Sequence, residues 1–141
     1  MAKLFAWGEN YYGRLGNNTT EDTSSPVQIG DTDNWSKVAA KYSSYAIKED
    51  GTMWSWGVGN QGQTARNSTA NSSSPIQVGS LTNWNQVYCT SFNTHASNTS
   101  GYLYSFGAGS NGQIGMLYLT NANYSSPVQV GALTNWKQVS T

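Results

Sequence analysis

Residues 53–57 read MWSWG, and the phrase returns in altered spelling as LFAWG at 4–8 and LYSFG at 103–107. The closing glycines, Gly8, Gly57 and Gly107, lie 49 and 50 residues apart, and a second glycine follows five residues later each time, at Gly13, Gly62 and Gly112. Further landmarks keep the same order: SSPVQIG at 24–30, SSPIQVG at 73–79 and SSPVQVG at 125–131. Nine residues after each proline comes a tryptophan (Trp35, Trp84, Trp136), preceded by Asn and followed three residues on by Val38, Val87 or Val139. A unit of about 50 residues built of several short segments marks a propeller or a similar array.

Each unit reads as strands. In MWSWG, Trp54 and Trp56 alternate with Met53 and Ser55, so a two-residue period places both aromatics on one face. Phe5 and Trp7, and Tyr104 and Phe106, hold the same places, and small Ala6, Ser55 and Ser105 leave room for a neighbouring sheet. The SSPVQVG segments read as short strands opened by proline, which has no N–H to give a ladder. NWSKVAA, NWNQVYC and NWKQVS give the next strand. YAIKEDGTMW and HASNTSGYLY read as hairpins turning at EDG and TSG. No amphipathic helix is visible, and the third unit carries two extra residues in MLYLTNANY. Twelve repeated positions are expected to be mostly buried between sheets: Phe5, Trp7, Trp35, Val38, Trp54, Trp56, Trp84, Val87, Tyr104, Phe106, Trp136 and Val139.

The composition narrows the function. The 141 residues carry seven Lys+Arg and seven Asp+Glu, a formal net charge of zero, so nothing suggests a nucleic acid or an anionic membrane as partner. Asn, Ser and Thr supply 48 residues, a neutral polar covering for many strands and turns. No apolar run is long enough to cross a membrane, and MAKLFAWGEN lacks the apolar stretch of a signal peptide. All seven acids lie in residues 1–50, so chemistry that needs two carboxylates would have to come from the first unit alone. One histidine, His95, and one cysteine, Cys89, make no metal cluster and no intrachain disulfide. His95 reads as a structural or surface residue and Cys89 as a small core residue. GVGNQG and GAGSNG look like Gly-x-Gly-x-x-Gly, but they recur with the repeat and no helix follows. No catalytic, cofactor-binding or metal-binding residue is expected.

The order aromatic-x-aromatic-Gly, Gly-x-Leu-Gly, Ser-Pro-Val-x-Val, Val, Asp-Gly resembles the RCC1 repeat, the unit of the RCC1-like β-propeller. FAWGENYYGRLG, AIKEDGTMWSWG, YSFGAGSNGQIG and the three SSPVQVG-type segments carry it, over nearly the whole chain. The SPVQVG…NW wording resembles bacterial and phage versions more than the eukaryotic exchange factor. The second unit departs from it at Thr64 and Ala65, where the others have Leu15-Gly16 and Ile114-Gly115. The family's Gly-x-x-His is replaced by AKYSSYA and TSFNTHA. The resemblance implies an all-β chain of three RCC1-like blades, as a single domain with units at about 4–52, 53–102 and 103–141, the last incomplete. RCC1-like rings usually need about seven blades, so an open array is expected, completed by oligomerisation.

Three functions fit these residues. The first is a structural or interaction protein in a phage particle or an extracellular assembly, such as a capsid decoration, fibre or filament. It would self-associate or dock on another structural protein through edges at Leu4, Phe5, Trp7, Trp136 and Val139. The second is a carbohydrate- or cell-surface-binding module using Tyr11, Tyr12, Tyr118 and Tyr124 on loops. The third, guanine-nucleotide exchange, follows from the resemblance alone and belongs to a complete ring.

Overall fold

A computed structural model describes residues 2–116 and 122–140. Among these residues, ten strands form three antiparallel sheets. The first sheet pairs β1 (Phe5–Gly8) with β2 (Thr23–Gln28). The second runs β3 (Trp35–Ala40), β4 (Ser43–Lys48), β5 (Met53–Gly57), β6 (Ser72–Gln77). The third runs β7 (Trp84–Cys89), β8 (Asn93–Asn98), β9 (Leu103–Gly107), β10 (Tyr124–Gln129), with each strand hydrogen-bonded to the next. A single 3-10 turn, Tyr11–Gly13, is the helical structure among the described residues. Each four-stranded sheet takes its first two strands from one sequence unit and its last two from the next.

The alternation read from MWSWG decides which sheet face meets which neighbour. Tyr45 stands opposite Ser55, Ala46 opposite Trp54 and Ile47 opposite Met53. One face of the central sheet therefore carries Trp35, Ala46, Trp54 and Trp56, which pack with Ile29, Leu4 and Ala6 of the N-terminal segment. The other carries Tyr45, Ile47, Met53 and Val78, which pack with Trp84, Val87, Ala96 and Phe106 of the third sheet. Both faces are apolar because both are covered. Cys89 packs half-buried against that second cluster. The EDG and TSG turns close β4–β5 and β8–β9 as expected, with Gly51 at φ +77° and Gly101 at φ +83°.

The burial list needs correction at four places. Trp35, Trp56, Trp84, Val87 and Phe106 are buried. Trp54, Tyr104 and Val139 are half-buried. The rim position of Trp54 leaves room for the Lys48 ammonium 4.3 Å from its ring centre. Phe5, Trp7, Val38 and Trp136 are exposed. Phe5 and Trp7 point away from the central sheet, and Val38 lies beyond the reach of a covering sheet that has only two strands. Trp136 belongs to a segment, 133–140, that forms no strand, although NWKQVS was expected to. Its counterparts β3 and β7 are held by β4 and β8, and this segment has no such strand beside it among the described residues.

The prolines also sit differently from expectation. Pro26, Pro75 and Pro127 lie inside their strands rather than opening them. Each strand is at a sheet edge, where a missing N–H costs no ladder bond, and each pairing shifts register there.

Candidate interaction surfaces

Two surfaces stand out, and both arise from the first unit. The first is the outer face of β1. Phe5 and Trp7 are 47% and 61% exposed, whereas Trp56 and Phe106, at the place of Trp7 in the next two units, are 2% and 0% exposed. The repeat places these rings on the face that meets a preceding sheet, and β1 has none before it in the described chain. Beside them runs a groove of about 430 Å³, lined by Leu4, Ala6, Val38, Ala40 and Trp56 among others. β1 pairs only with β2, while β5 and β9 each pair on both sides, so the second edge of β1 has no strand beside it among the described residues. Of the expected edge residues, the structure gathers Leu4, Phe5 and Trp7 here. It places Trp136 and Val139 in the strandless C-terminal segment.

The second surface is built on the loop after β1. Asn10 anchors it from a fully buried position. Its side-chain amide donates to Asn17 Oδ1, Thr19 O and Glu21 O, and its carbonyl oxygen accepts from Leu15 N at 2.9 Å. Gly13, at φ +78°, seats the loop on β6: a Cβ there would lie 2.5 Å from Ser73 Cα. Gly62 repeats that approach on Ser125 of β10. The loop thus holds Tyr11 and Tyr12 in edge contact, ring centres 4.3 Å apart. Tyr12 does so at φ +65°, a backbone region that bulky side chains rarely enter. Tyr42 and Phe92, from the β3–β4 and β7–β8 turns, form a second edge-to-face pair at 6.1 Å. The Arg14 guanidinium lies 5.3 Å from the Tyr42 ring centre and bonds Glu9 Oε2 at 3.1 Å. Together with Val58, Asn60 and Gln63 these residues line a cleft of about 370 Å³.

The surface tyrosines expected from sequence divide accordingly. Tyr11 and Tyr12 lie on the cleft. Tyr124 does not: it opens β10 and is half-buried, because the residue falls within the ladder to β9 rather than on a loop. Tyr118 lies outside the described residues. Sequence reading missed Tyr42, Phe92 and Arg14, and assigned Val38 to the core, where the structure exposes it. Tyr42 and Phe92 each stand three residues before the core positions Tyr45 and His95, so aligning the β4 and β8 hairpins would have paired them.

The single histidine is internal. His95 takes the place of Tyr45 in the next unit, and its Nδ1 lies 2.6 Å from Ser105 Oγ. Burial lowers its pKa below the usual histidine value. Burial pushes the Cys89 thiol up to about 11. Among the described residues no group of three His, Cys, Asp or Glu could hold a metal ion. No described helix is long and apolar enough to cross a membrane.

Solved structures of similar architecture are known. Prp20p from Saccharomyces cerevisiae, whose binding to Gsp1p and histones was described with its structure, superposes with a TM-score of 0.81 at 20% identity, over 92% of this chain and 34% of that one. The same yeast protein bound to Kap60 gives 0.80 at 20% identity, over 92% and 33%. Human WBSCR16 gives 0.75 at 21% identity, over 90% and 34%. The chain thus spans about a third of the length of these propellers, and the likeness is one of fold. No curated protein matches it by sequence. The Regulator of chromosome condensation (RCC1) repeat matches residues 2–42, 50–96 and 100–141, so the chain belongs to the RCC1 repeat family.

Proposed function

We propose that this chain is a non-enzymatic interaction module whose docking surface is the open face and free edge of β1, and that a second copy of the chain fills it. The observation that carries the reading is the exposure of Trp7, whose counterparts Trp56 and Phe106 are buried, and of Phe5, whose counterparts Trp54 and Tyr104 are half-buried. A free strand edge beside an apolar face is a template for pairing with another chain. Among the described residues, the far end of the array offers no matching open face of aromatic rings. Its third sheet has His95 and Ser97 in place of Tyr45 and Ile47, and His95, Leu103 and Ser105 are already buried within the chain. The open face therefore docks on its own copy across a two-fold axis. Antiparallel pairing of β1 with the partner copy's β1 makes one four-stranded sheet from two half-sheets, matching the strand number of the other two. A charge total of 14 groups in 141 residues does little to hold copies apart. A phage particle or an extracellular assembly, where docking on another structural protein is the competing arrangement, is the setting suggested by the SPVQVG…NW wording.

Sedimentation velocity across a wide concentration range tests this. The wild-type chain is expected to reach twice its 15.3 kDa mass. Phe5→Ser with Trp7→Ser is expected to stay monomeric with an unchanged circular dichroism spectrum. A wild-type monomer at every concentration would overturn the proposal.

A further inference from the structure

We propose that the cleft between Tyr11, Tyr12, Tyr42 and Phe92 binds a neutral saccharide. The argument starts from where the first loop breaks the repeat. The second and third loops read VGNQGQ and AGSNGQ, and in both the terminal glutamine folds back: Gln63 Oε1 accepts from Gln61 N, and Gln113 Oε1 accepts from Asn111 N, each at 2.7 Å. The first loop reads ENYYGR. Arg14 stands in the place of the glutamine and points instead to Glu9 and the Tyr42 ring. Tyr12 stands in the place of Gln61 and adopts φ +65°. The fold is satisfied by glutamine and amide residues at these positions. Two tyrosines, an arginine and a strained backbone are more than folding needs, and such strain gathers at binding sites.

The chemistry of the cleft selects the ligand. Four aromatic rings from loops of three successive sheets stand exposed around it, offering π faces to an apolar surface. Charge is cancelled inside it, because Glu9 neutralises Arg14. The cation seat over Tyr42 is already taken by the chain's own guanidinium, which disfavours an ammonium ligand. The rest of the polar lining is amide and hydroxyl: Asn60, Gln63 and the tyrosine O–H groups. A sugar ring meets all of these conditions, with a C–H face for the aromatics and neutral hydroxyls for the rim. The volume, about 370 Å³, falls at the small end of ligand pockets and suits one or two rings. The edge-to-face angles, 66° and 72°, leave the rings inclined to each other rather than stacked in register as parallel ridges for a proline-rich peptide.

The test uses the full chain on a printed array of neutral and acidic glycans, followed by calorimetric titration with cellotetraose, maltotetraose, chitotetraose and a PxxP decapeptide. Binding to a neutral glycan is expected. Tyr42→Ala and, separately, Phe92→Ala are expected to weaken it at least tenfold while leaving the circular dichroism spectrum unchanged. Phe5→Ser with Trp7→Ser should leave it intact, which separates this site from the self-docking face. Binding of no neutral glycan, binding of the peptide alone, or binding indifferent to both aromatic variants would overturn the proposal.

Discussion

The seam between the second and third sheets and the outer face of β1 are written in the same residues but have opposite fates. At the seam, Tyr45, Ile47 and Met53 meet Trp84, Val87 and Phe106, and all are buried. At β1, Phe5 and Trp7 face outward. The sequence pattern cannot distinguish the two, because period-two alternation states which side chains share a face and not whether a neighbour covers it. What separates them is the neighbour: the seam lies between two four-stranded sheets, whereas no sheet lies against the outer face of β1 among the described residues.

The largest contrast should come from truncating equivalent rings. Trp56→Ala removes a buried ring that also donates to Arg14 O at 2.9 Å, and is expected to cost about 3–5 kcal/mol in urea unfolding. Trp7→Ala, in dilute monomer, is expected to change stability by no more than about 0.5 kcal/mol. Comparable losses at the two positions would break the comparison.

Glycines sharpen it next. Gly62 and Gly79 both have positive φ, at +81° and +59°. A Cβ on Gly62 would lie 2.7 Å from Ser125 Cα, while one on Gly79 meets nothing within 4 Å. Gly79→Ala is expected to cost about 1–2 kcal/mol, the conformational penalty alone. Gly62→Ala adds roughly 1–3 kcal/mol of overpacking, read from thermal melts.

A pH effect follows from His95. Its folded pKa is lowered, so between that value and the unfolded value of about 6.5 the unfolded chain holds more protons. Stability is therefore expected to be flat above about pH 7 and to fall as pH drops below 6.5. Asp50, held low by its bonds to the Thr52 hydroxyl and amide, adds a loss only below about pH 4. His95→Gln should abolish the first decline and keep the second; unfolding curves at stepped pH would show it. The smallest effect is kinetic. With its pKa near 11, Cys89 is expected to react with iodoacetamide at pH 8 on the order of 100-fold more slowly than a free thiol.

Much of the fold was legible because repetition multiplies weak signals. One MWSWG suggests a strand; three, each followed by a glycine, a proline and a tryptophan at fixed distances, suggest an array, and the sheets follow. The strand expected at NWKQVS was not formed because a strand is a property of a pair. The cleft was half legible: Tyr11 and Tyr12 were visible as paired loop aromatics. Tyr42 and Phe92 were hidden by their ordinary surroundings, and only the turns of two separate sheets bring them to the same place. Nothing in the sequence singles out Arg14; the loop geometry sets it over Tyr42.

The central claim is that the β1 face is a blade surface kept for a second copy, and fluorine NMR on chain labelled with 5-fluorotryptophan tests it most directly. The Trp7 and Trp56 resonances are assigned by Trp7→Phe and Trp56→Phe, and their solvent isotope shifts in light and heavy water are followed as concentration rises. The account predicts that Trp56 shows almost no shift throughout, and that Trp7 shows a full shift in dilute monomer and loses it as the dimer forms. A Trp7 resonance that stays fully solvent-shifted at every concentration would contradict it.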